Sequence, residues 1–139
     1  MGSNQGASLG GEWTGVYDYP DPDSPPVPFE ASLMDISGVL WGTIREPNTF
    51  SPVPAHHLDA SLSGSRSGRE VQFLKEYADV PGADAPVGYV GKVSADGTRI
   101  EGDWSIWHPG QMITGRFIMN RPGAAEEPRT RVAAAEAKL

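Results

Sequence analysis

Lys75 is the strongest candidate for a chemical role in this sequence, because its charge interrupts an apolar pattern. It lies two positions from Phe73 and two from Tyr77, and that spacing places side chains on one face of a β-strand. An ammonium group is seldom buried without a partner. One interpretation is a cation that receives a ligand carboxylate or phosphate, with a Schiff-base lysine as a variant. The alternative is an internal ion pair with Glu46, which is in phase with Ile44.

Aromatic side chains share this predicted interior with Lys75. Each tyrosine of the chain combines a large apolar surface with a hydroxyl that needs a partner when buried, and the four are Tyr17, Tyr19, Tyr77 and Tyr89. Such residues line ligand pockets, although core packing explains each one equally well. Phe29 and Trp104 extend the apolar wall. The predicted ligand-binding residues are Tyr17, Phe29, Glu46, Lys75, Tyr77, Tyr89 and Trp104.

Two histidines offer a metal-binding hypothesis. His56 is in phase with Leu58, and His108 is in phase with Ile106, so both can point inward beside Glu46. Three such ligands would suit a zinc ion. The favoured alternative is that these are exposed loop histidines, because their spacing is not that of a ligand pair. We therefore predict no metal, no cofactor and no assigned catalytic residue.

The elements that must position these residues are short strands in which glycine alternates with large apolar residues. Spacing of two is the strand period, and repeated glycine indicates tight bends or a crowded interior. Examples are Trp13-x-Gly15-x-Tyr17, Leu40-x-Gly42-x-Ile44, Tyr89-x-Gly91-x-Val93 and Gly102-x-Trp104-x-Ile106. Eight runs follow this pattern: 12–19, 27–35, 38–46, 57–65, 69–77, 87–94, 99–106 and 112–121.

Eight consecutive strands joined by short links predict an all-β, eight-stranded antiparallel up-and-down barrel. The connections near Ser37, Ser67 and Asp96 are tight and lie at one end, which Trp13 is expected to plug. The longer, proline-rich connections lie at the other end. Ligand sites in small barrels belong at such a long-loop mouth.

The chain is predicted to be one domain of 139 residues. We expect residues 1–10 to be disordered, residues 11–121 to form the barrel, and residues 122–139 to form an Ala-rich tail that is a short helix or disordered.

Composition limits the partners. The formal net charge of −7, with no basic stripe, argues against binding to nucleic acid or to an anionic membrane surface. The chain has no cysteine, which excludes disulfides and thiolate chemistry. No apolar run has the length of a membrane span, and the expected location is cytoplasmic.

The opening Gly11-x-Trp13-x-Gly15-x-Tyr17 resembles the first-strand motif of the calycins, the group of small barrels that includes lipocalins and avidins. The later strands, with Val87-x-Tyr89-x-Gly91 and Gly115-x-Phe117, are similar to a lipocalin-like pattern. The resemblance covers most of residues 11–121 and implies a ligand-binding barrel. The biotin loop of avidins has no residue-by-residue match here, so biotin is not implied.

The outer face carries its own apolar residues. Val16 and Ile118 lie on strands that meet when the barrel closes, and Met34 and Trp41 lie on the adjoining pair. A homodimer through these four residues is one hypothesis. Scattered surface apolar residues are the alternative.

Together these observations predict a lipocalin-like protein that binds a small, partly apolar molecule at the barrel mouth. This molecule is either neutral or anionic. Two alternatives stay open. One is a cofactor-independent isomerase or cyclase, similar to the barrel-shaped allene oxide cyclases, in which Lys75, Glu46 or a tyrosine acts as acid or base. The other is a barrel filled by its own side chains that serves as a protein interaction module.

Overall fold

The computed structural model of the protein describes residues 8–78, 80, 85–108 and 110–122. These residues form the predicted eight strands: β1 (Gly11–Tyr17), β2 (Val27–Ile36), β3 (Val39–Pro47), β4 (His57–Ser67), β5 (Glu70–Tyr77), β6 (Val87–Val93), β7 (Arg99–His108) and β8 (Gln111–Asn120). Each strand pairs antiparallel with the next, and β1 pairs with β8, so the sheet is a closed up-and-down barrel. The predicted fold class is confirmed.

The strand ends differ from the predicted ones by one or two residues, most clearly in β1. This strand ends at Tyr17, two residues before the predicted end at Tyr19. The N–H of Asp18 still donates to the carbonyl oxygen of Arg116 (2.9 Å). Pro20 then follows, and a residue without an N–H cannot continue the ladder. Tyr19 therefore leaves the sheet while its ring stays packed against the core.

Burial alternates along the strands as period two requires. In β4, for example, Leu58, Ala60 and Leu62 are buried, while the residues between them are exposed. The interior glycines allow this crowding. A Cβ on Gly42 would collide with the carbonyl oxygen of Ser32 on the paired strand, so the close approach of β2 and β3 requires glycine there.

One barrel end is closed by the tight turns and by the residues that precede β1. Leu9 is only 1% exposed. Its N–H donates to Asp35 Oδ2 (2.8 Å), and its carbonyl oxygen accepts the indole N–H of Trp13 (2.9 Å). The guanidinium of Arg121 lies 4.6 Å from the centre of the Trp13 ring and donates to the carbonyl of Gly10 (3.0 Å).

The expectation that residues 1–10 are disordered is therefore wrong for residues 8–10. The reason is that the barrel needs an apolar side chain to fill its closed end, and Leu9 supplies it. Residues 1–7 and 123–139 lie outside the described residues, and so does the predicted Ala-rich helix.

A buried ion pair reinforces the closed end. Arg66 Nε lies 2.9 Å from Asp35 Oδ2, and both side chains are almost fully buried. Burial acts to raise the pKa of Asp35, but hydrogen bonds from Arg66 and from the N–H groups of Leu9 and Gly38 outweigh it and hold the pKa below its usual range. Asp35 is two residues after Leu33, and Arg66 is two after Gly64, so their phase was a signal that sequence reasoning overlooked.

Truncating Leu9 tests how much its burial in the closed end contributes to the stability of the fold. We expect Leu9→Ala to lower the free energy of unfolding by about 2–3 kcal/mol, because the cavity left in the closed end cannot be refilled. The measurement is urea-induced unfolding followed by tryptophan fluorescence. Leu74→Ala is the matched control, since Leu74 is 46% exposed, and it should cost less than about 1 kcal/mol. Equal costs for the two variants would show that Leu9 is not part of the core.

The four residues of the predicted dimer patch form two separate pairs. Val16 lies opposite Ile118, and Met34 lies opposite Trp41. Val16 is also opposite Pro28, which precedes Met34 by six residues on β2, a separation of roughly 20 Å along the strand. Val16 and Ile118 are half-buried, whereas Met34 and Trp41 are exposed. The four therefore do not make a single patch.

The described residues contain no helix that is both long and apolar enough to cross a membrane.

Candidate functional site

The open end of the barrel brings together the ends of β1, β3 and β5. These three ends carry Tyr17, Glu46 and Tyr77, and Lys75 lies one inward position deeper on β5. The long connections after β1 and β3 lie at the same end. The structure therefore gathers the predicted polar residues at the predicted mouth, because period-two strands of similar length end at the same level.

Glu46 is the centre of this cluster. It is 1% exposed, and its Oε1 lies 2.9 Å from Lys75 Nζ. Its Oε2 accepts two hydrogen bonds, one from the hydroxyl of Tyr17 (2.9 Å) and one from that of Tyr77 (2.8 Å). The internal ion pair that the sequence left as an alternative is thus present, and both carboxylate oxygens have donors. This arrangement is what allows the charge to be buried.

Lys75 is 2% exposed and is surrounded by aromatic rings. Its Nζ lies 4.7 Å from the ring centres of Tyr17 and Tyr77 and 5.6 Å from that of Tyr89. Attraction between the ammonium and the ring faces adds to the ion pair with Glu46. Burial lowers the pKa of Lys75, and the charge and hydrogen bond of Glu46 oppose that shift.

The same cluster raises the pKa of three tyrosines. For Tyr17 and Tyr77 the main cause is burial, followed by the negative charge of Glu46. Burial is also the main cause for Tyr89, again followed by Glu46. Because each pKa is raised above the ordinary 10.0, the hydroxyl stays protonated in mild alkali as well as at neutral pH. The interior of the mouth is therefore lined by hydroxyl donors beside a compensated ion pair.

Tyr89 differs from the other two because its hydroxyl makes no hydrogen bond with any residue that the structure describes. Its ring is stacked on Phe73 at 4.7 Å and meets Phe117 edge-on at 5.0 Å. Only 2% of the residue is exposed. Among the described residues no fully enclosed side-chain nitrogen or oxygen lacks a partner. The Tyr89 hydroxyl consequently retains access to open space.

The remaining predicted wall residues lie beside this cluster. Trp104 is buried, donates its indole N–H to the carbonyl of Asp18 (2.9 Å) and packs edge-on against Tyr17 and Tyr19. Phe29 is buried with its ring 6.2 Å from that of Tyr17. All seven residues predicted to bind a ligand are thus in one connected interior cluster.

Sequence reasoning missed the loop between β3 and β4. Asn48 organises it, donating to the carbonyls of Ser51, Val53 and Ala55 at 3.0–3.2 Å and accepting the N–H groups of Phe50 and Ser51. The loop places the Phe50 ring edge-on to Tyr77 at 5.5 Å, although Phe50 is 45% exposed. An asparagine that starts a proline-rich connection was the available signal.

The histidine hypothesis does not hold for the described side chains. His56 and His57 are exposed, so His56 does not point inward beside the buried Glu46. The reason is that His56 precedes the first paired residue of β4, where strand phase no longer applies. The side chain of His108 lies outside the described residues. In the part of the chain that the structure describes, no three His, Asp or Glu side chains are grouped to hold a metal ion.

An open groove of about 730 Å³ lies along the outer side of β1, β2, β3 and β8, and its lining includes Phe29 and Glu46 of this cluster. Its outward-facing lining includes Thr14, Val16, Pro28, Arg45 and Ile118. Arg45 forms a long, exposed ion pair with Asp59 (3.7 Å). The lining contains neither Lys75 nor a tyrosine, and the mouth, which holds these groups, is therefore the candidate site.

The sequence matches no family model, and no curated protein is significantly similar to it. The closed eight-stranded barrel is compatible with the calycin resemblance, which stays an expectation about the family.

Proposed function

We propose that the barrel binds a small, partly apolar molecule at its mouth, and that a polar group of this molecule accepts a hydrogen bond from Tyr89. The observation that carries the proposal is the Tyr89 hydroxyl: it belongs to a residue only 2% exposed, it makes no hydrogen bond with any described residue, and it is not fully enclosed. A ligand acceptor can take the place of the water that such a hydroxyl otherwise binds, and a few polar groups of this kind orient ligands in mostly apolar sites.

The charges in the mouth favour a neutral ligand over an anionic one. Lys75 is the only cation among the described residues whose side chain is fully buried at this end, and Glu46 already neutralises it at 2.9 Å. An added carboxylate would lie beside Glu46 with no unpaired cation to balance it. A carbonyl, ether or hydroxyl oxygen would instead accept a hydrogen bond from the Tyr89 hydroxyl without introducing charge.

The surface around the mouth supports an apolar ligand. Three exposed large apolar residues lie at this end: Phe50 in the loop after β3, and Trp107 and Met112, which face each other in the hairpin of β7 and β8. An apolar rim above polar interior groups suits a molecule that enters with its apolar part outermost.

The first test is native mass spectrometry of the protein purified from its own source, where we expect a retained neutral molecule. The second uses two dyes, Nile red, which is neutral and carries a carbonyl, and anilinonaphthalene sulfonate, which is anionic. Wild-type protein should bind Nile red more tightly than the anionic dye. Tyr89→Phe should weaken Nile red binding by about 5- to 10-fold, the value of one hydrogen bond.

The control is Ser63→Ala, which removes a hydroxyl from the outer face of β4 and should leave Nile red binding unchanged. Equal affinity of Tyr89→Phe and wild type would contradict the role of Tyr89. A protein that carries no molecule from its source and binds neither dye would contradict the proposal as a whole.

A further inference from the structure

The outer surface contains a continuous uncharged area over strands β2 to β6. Of the nine exposed large hydrophobic residues among those described, six lie there, and the other three form the rim of the mouth. We call this area the uncharged face; its residues are Met34, Ile36, Val39, Trp41, Thr43, Ser61, Ser63, Ser65, Gln72, Leu74, Gly88 and Val90.

Strand register makes these residues neighbours. Met34 lies opposite Trp41, Trp41 opposite Ser63, and Ser63 opposite Leu74. Val39, opposite Ser65, extends the adjacent row. Side chains at directly paired positions are about 5 Å apart, so the row is continuous across four strands.

Charged rows border the face on both sides. One consists of Glu30, Arg45 and Asp59, with Glu76 beside it opposite Ser61, and the other of Glu70, Lys92 and Glu101, with Asp103 opposite Val90. The whole chain has a formal charge of −7. Two copies therefore repel each other in most orientations, and a contact centred on the row of Met34, Trp41, Ser63 and Leu74 keeps the charged border at its edge.

The shape of the uncharged face is complementary to that of a second copy. Strand β4 presents only small side chains there, Ser61, Ser63 and Ser65, which leaves a shallow trough. Trp41 on β3 and Leu74 on β5 stand on either side of it. A twofold axis near β3 and β4 would place the Trp41 ring of each copy in the serine trough of the other, which is the self-complementarity that a twofold contact requires.

We propose that two copies of this chain associate through the uncharged face. The barrel is closed, so copies cannot add strands to each other along β1 or β8 and must meet through their outer faces. The five strands and their outward positions span roughly 400 Å² in projection, and protruding side chains increase the accessible area. Two copies thus bury on the order of 800 Å² of projected area, somewhat less than the roughly 1,000 Å² of a stable specific interface, and the dimer should therefore be weak and concentration-dependent.

This proposal is independent of ligand binding at the mouth. Its test is sedimentation velocity of the full chain over rising concentration, in which wild type should shift from monomer to dimer. Trp41→Glu should weaken dimerisation by about 100-fold or more, because the twofold axis brings two new carboxylates into an apolar contact. Trp107→Glu is the matched control: it is the same change at a tryptophan that is 66% exposed outside the face, and it should dimerise like wild type.

Ser63→Arg provides a second variant, because it fills the trough while leaving the core untouched, and it should also abolish dimerisation. Far-UV circular dichroism establishes that each variant is folded. A wild type that stays monomeric at every concentration overturns the proposal, and so does a Trp107→Glu variant weakened as much as Trp41→Glu. A monomeric wild type that instead binds a different protein through this face also overturns it.

Discussion

Replacing Lys75 with methionine is expected to lower the free energy of unfolding by about 3–5 kcal/mol. The substitution roughly conserves side-chain volume but leaves the carboxylate of Glu46 buried with only the hydroxyls of Tyr17 and Tyr77 as donors. An unbalanced buried charge is far more costly than the loss of one contact. Guanidinium-induced unfolding, followed by circular dichroism, measures the effect.

A double-mutant cycle shows whether the cost arises from the pair. Glu46→Gln keeps an oxygen that can accept the tyrosine hydroxyls but removes the charge. The double variant Lys75→Met/Glu46→Gln should therefore be about 2 kcal/mol more stable than Lys75→Met alone. If the changes in the free energy of unfolding caused by the two substitutions simply add, Lys75 and Glu46 are not energetically coupled, and the ion pair does not account for the cost.

The control for this experiment is the neighbouring ion pair on the outside of the barrel. Arg45 precedes Glu46 in β3 and contacts Asp59 at 3.7 Å, with 61% and 74% of the two side chains exposed. Arg45→Met should change stability by less than about 1 kcal/mol, because solvent screens an exposed pair. A loss as large as that of Lys75→Met would mean that burial does not control the cost.

The second large effect is a steep loss of stability in alkali. Tyr17, Tyr77 and Tyr89 have pKa values raised above the ordinary value of 10.0, mainly by burial and then by the charge of Glu46. Below pH 10 both the folded and the unfolded chain hold these protons, so the stability is fully present. Above pH 10 the unfolded chain releases them while the folded chain does not, and stability falls with rising pH.

The expected slope is about 4 kcal/mol per pH unit, the effect of three protons held only by the folded state. Lys75 acts in the opposite direction. Because its pKa is lowered, it raises stability with pH, but only up to its ordinary value of 10.5. The steep fall should therefore dominate above about pH 10.5.

Chemical unfolding at a series of pH values, together with tyrosinate absorbance, tests this behaviour. The three phenols should ionise within the unfolding transition. In Tyr89→Phe the slope should fall by about one third, because one of the three protons is removed. Gradual ionisation of all three in a chain that stays folded near pH 10 would contradict the raised pKa values.

The strands and their faces follow from the sequence because a period of two is a local property. The spacing of Phe73, Lys75 and Tyr77 on β5 was enough to place the lysine inside, and the phase of Ile44 and Glu46 was enough to identify a candidate partner. Short turns between strands keep neighbouring strands in a defined register, so interior residues of one strand meet those of the next.

Parts of the structure without strand periodicity were not predictable in this way. Leu9 fills the closed end from outside the strand pattern, and Asn48 organises a loop whose form depends on side-chain hydrogen bonds to its own backbone. The inward direction of His56 extends the β4 phase one residue beyond the strand, and the structure instead confirms the favoured interpretation of an exposed histidine. Loop and terminal residues follow contacts that a linear pattern does not encode.

The sequence by itself determined the closed barrel, its apolar interior and the inward positions of Lys75 and Glu46, because alternation along strands and short links leave few other ways to bury these side chains. Only the tertiary structure decided that Lys75 pairs with Glu46 and how the hydroxyls are shared. Tyr17 and Tyr77 lie 29 and 31 residues from Glu46 and reach the same carboxylate oxygen, while Tyr89 is left with its hydroxyl unbonded among the described residues. That difference depends on distances across the closed barrel, which arise from the packing of several strands together and from no single segment of the chain.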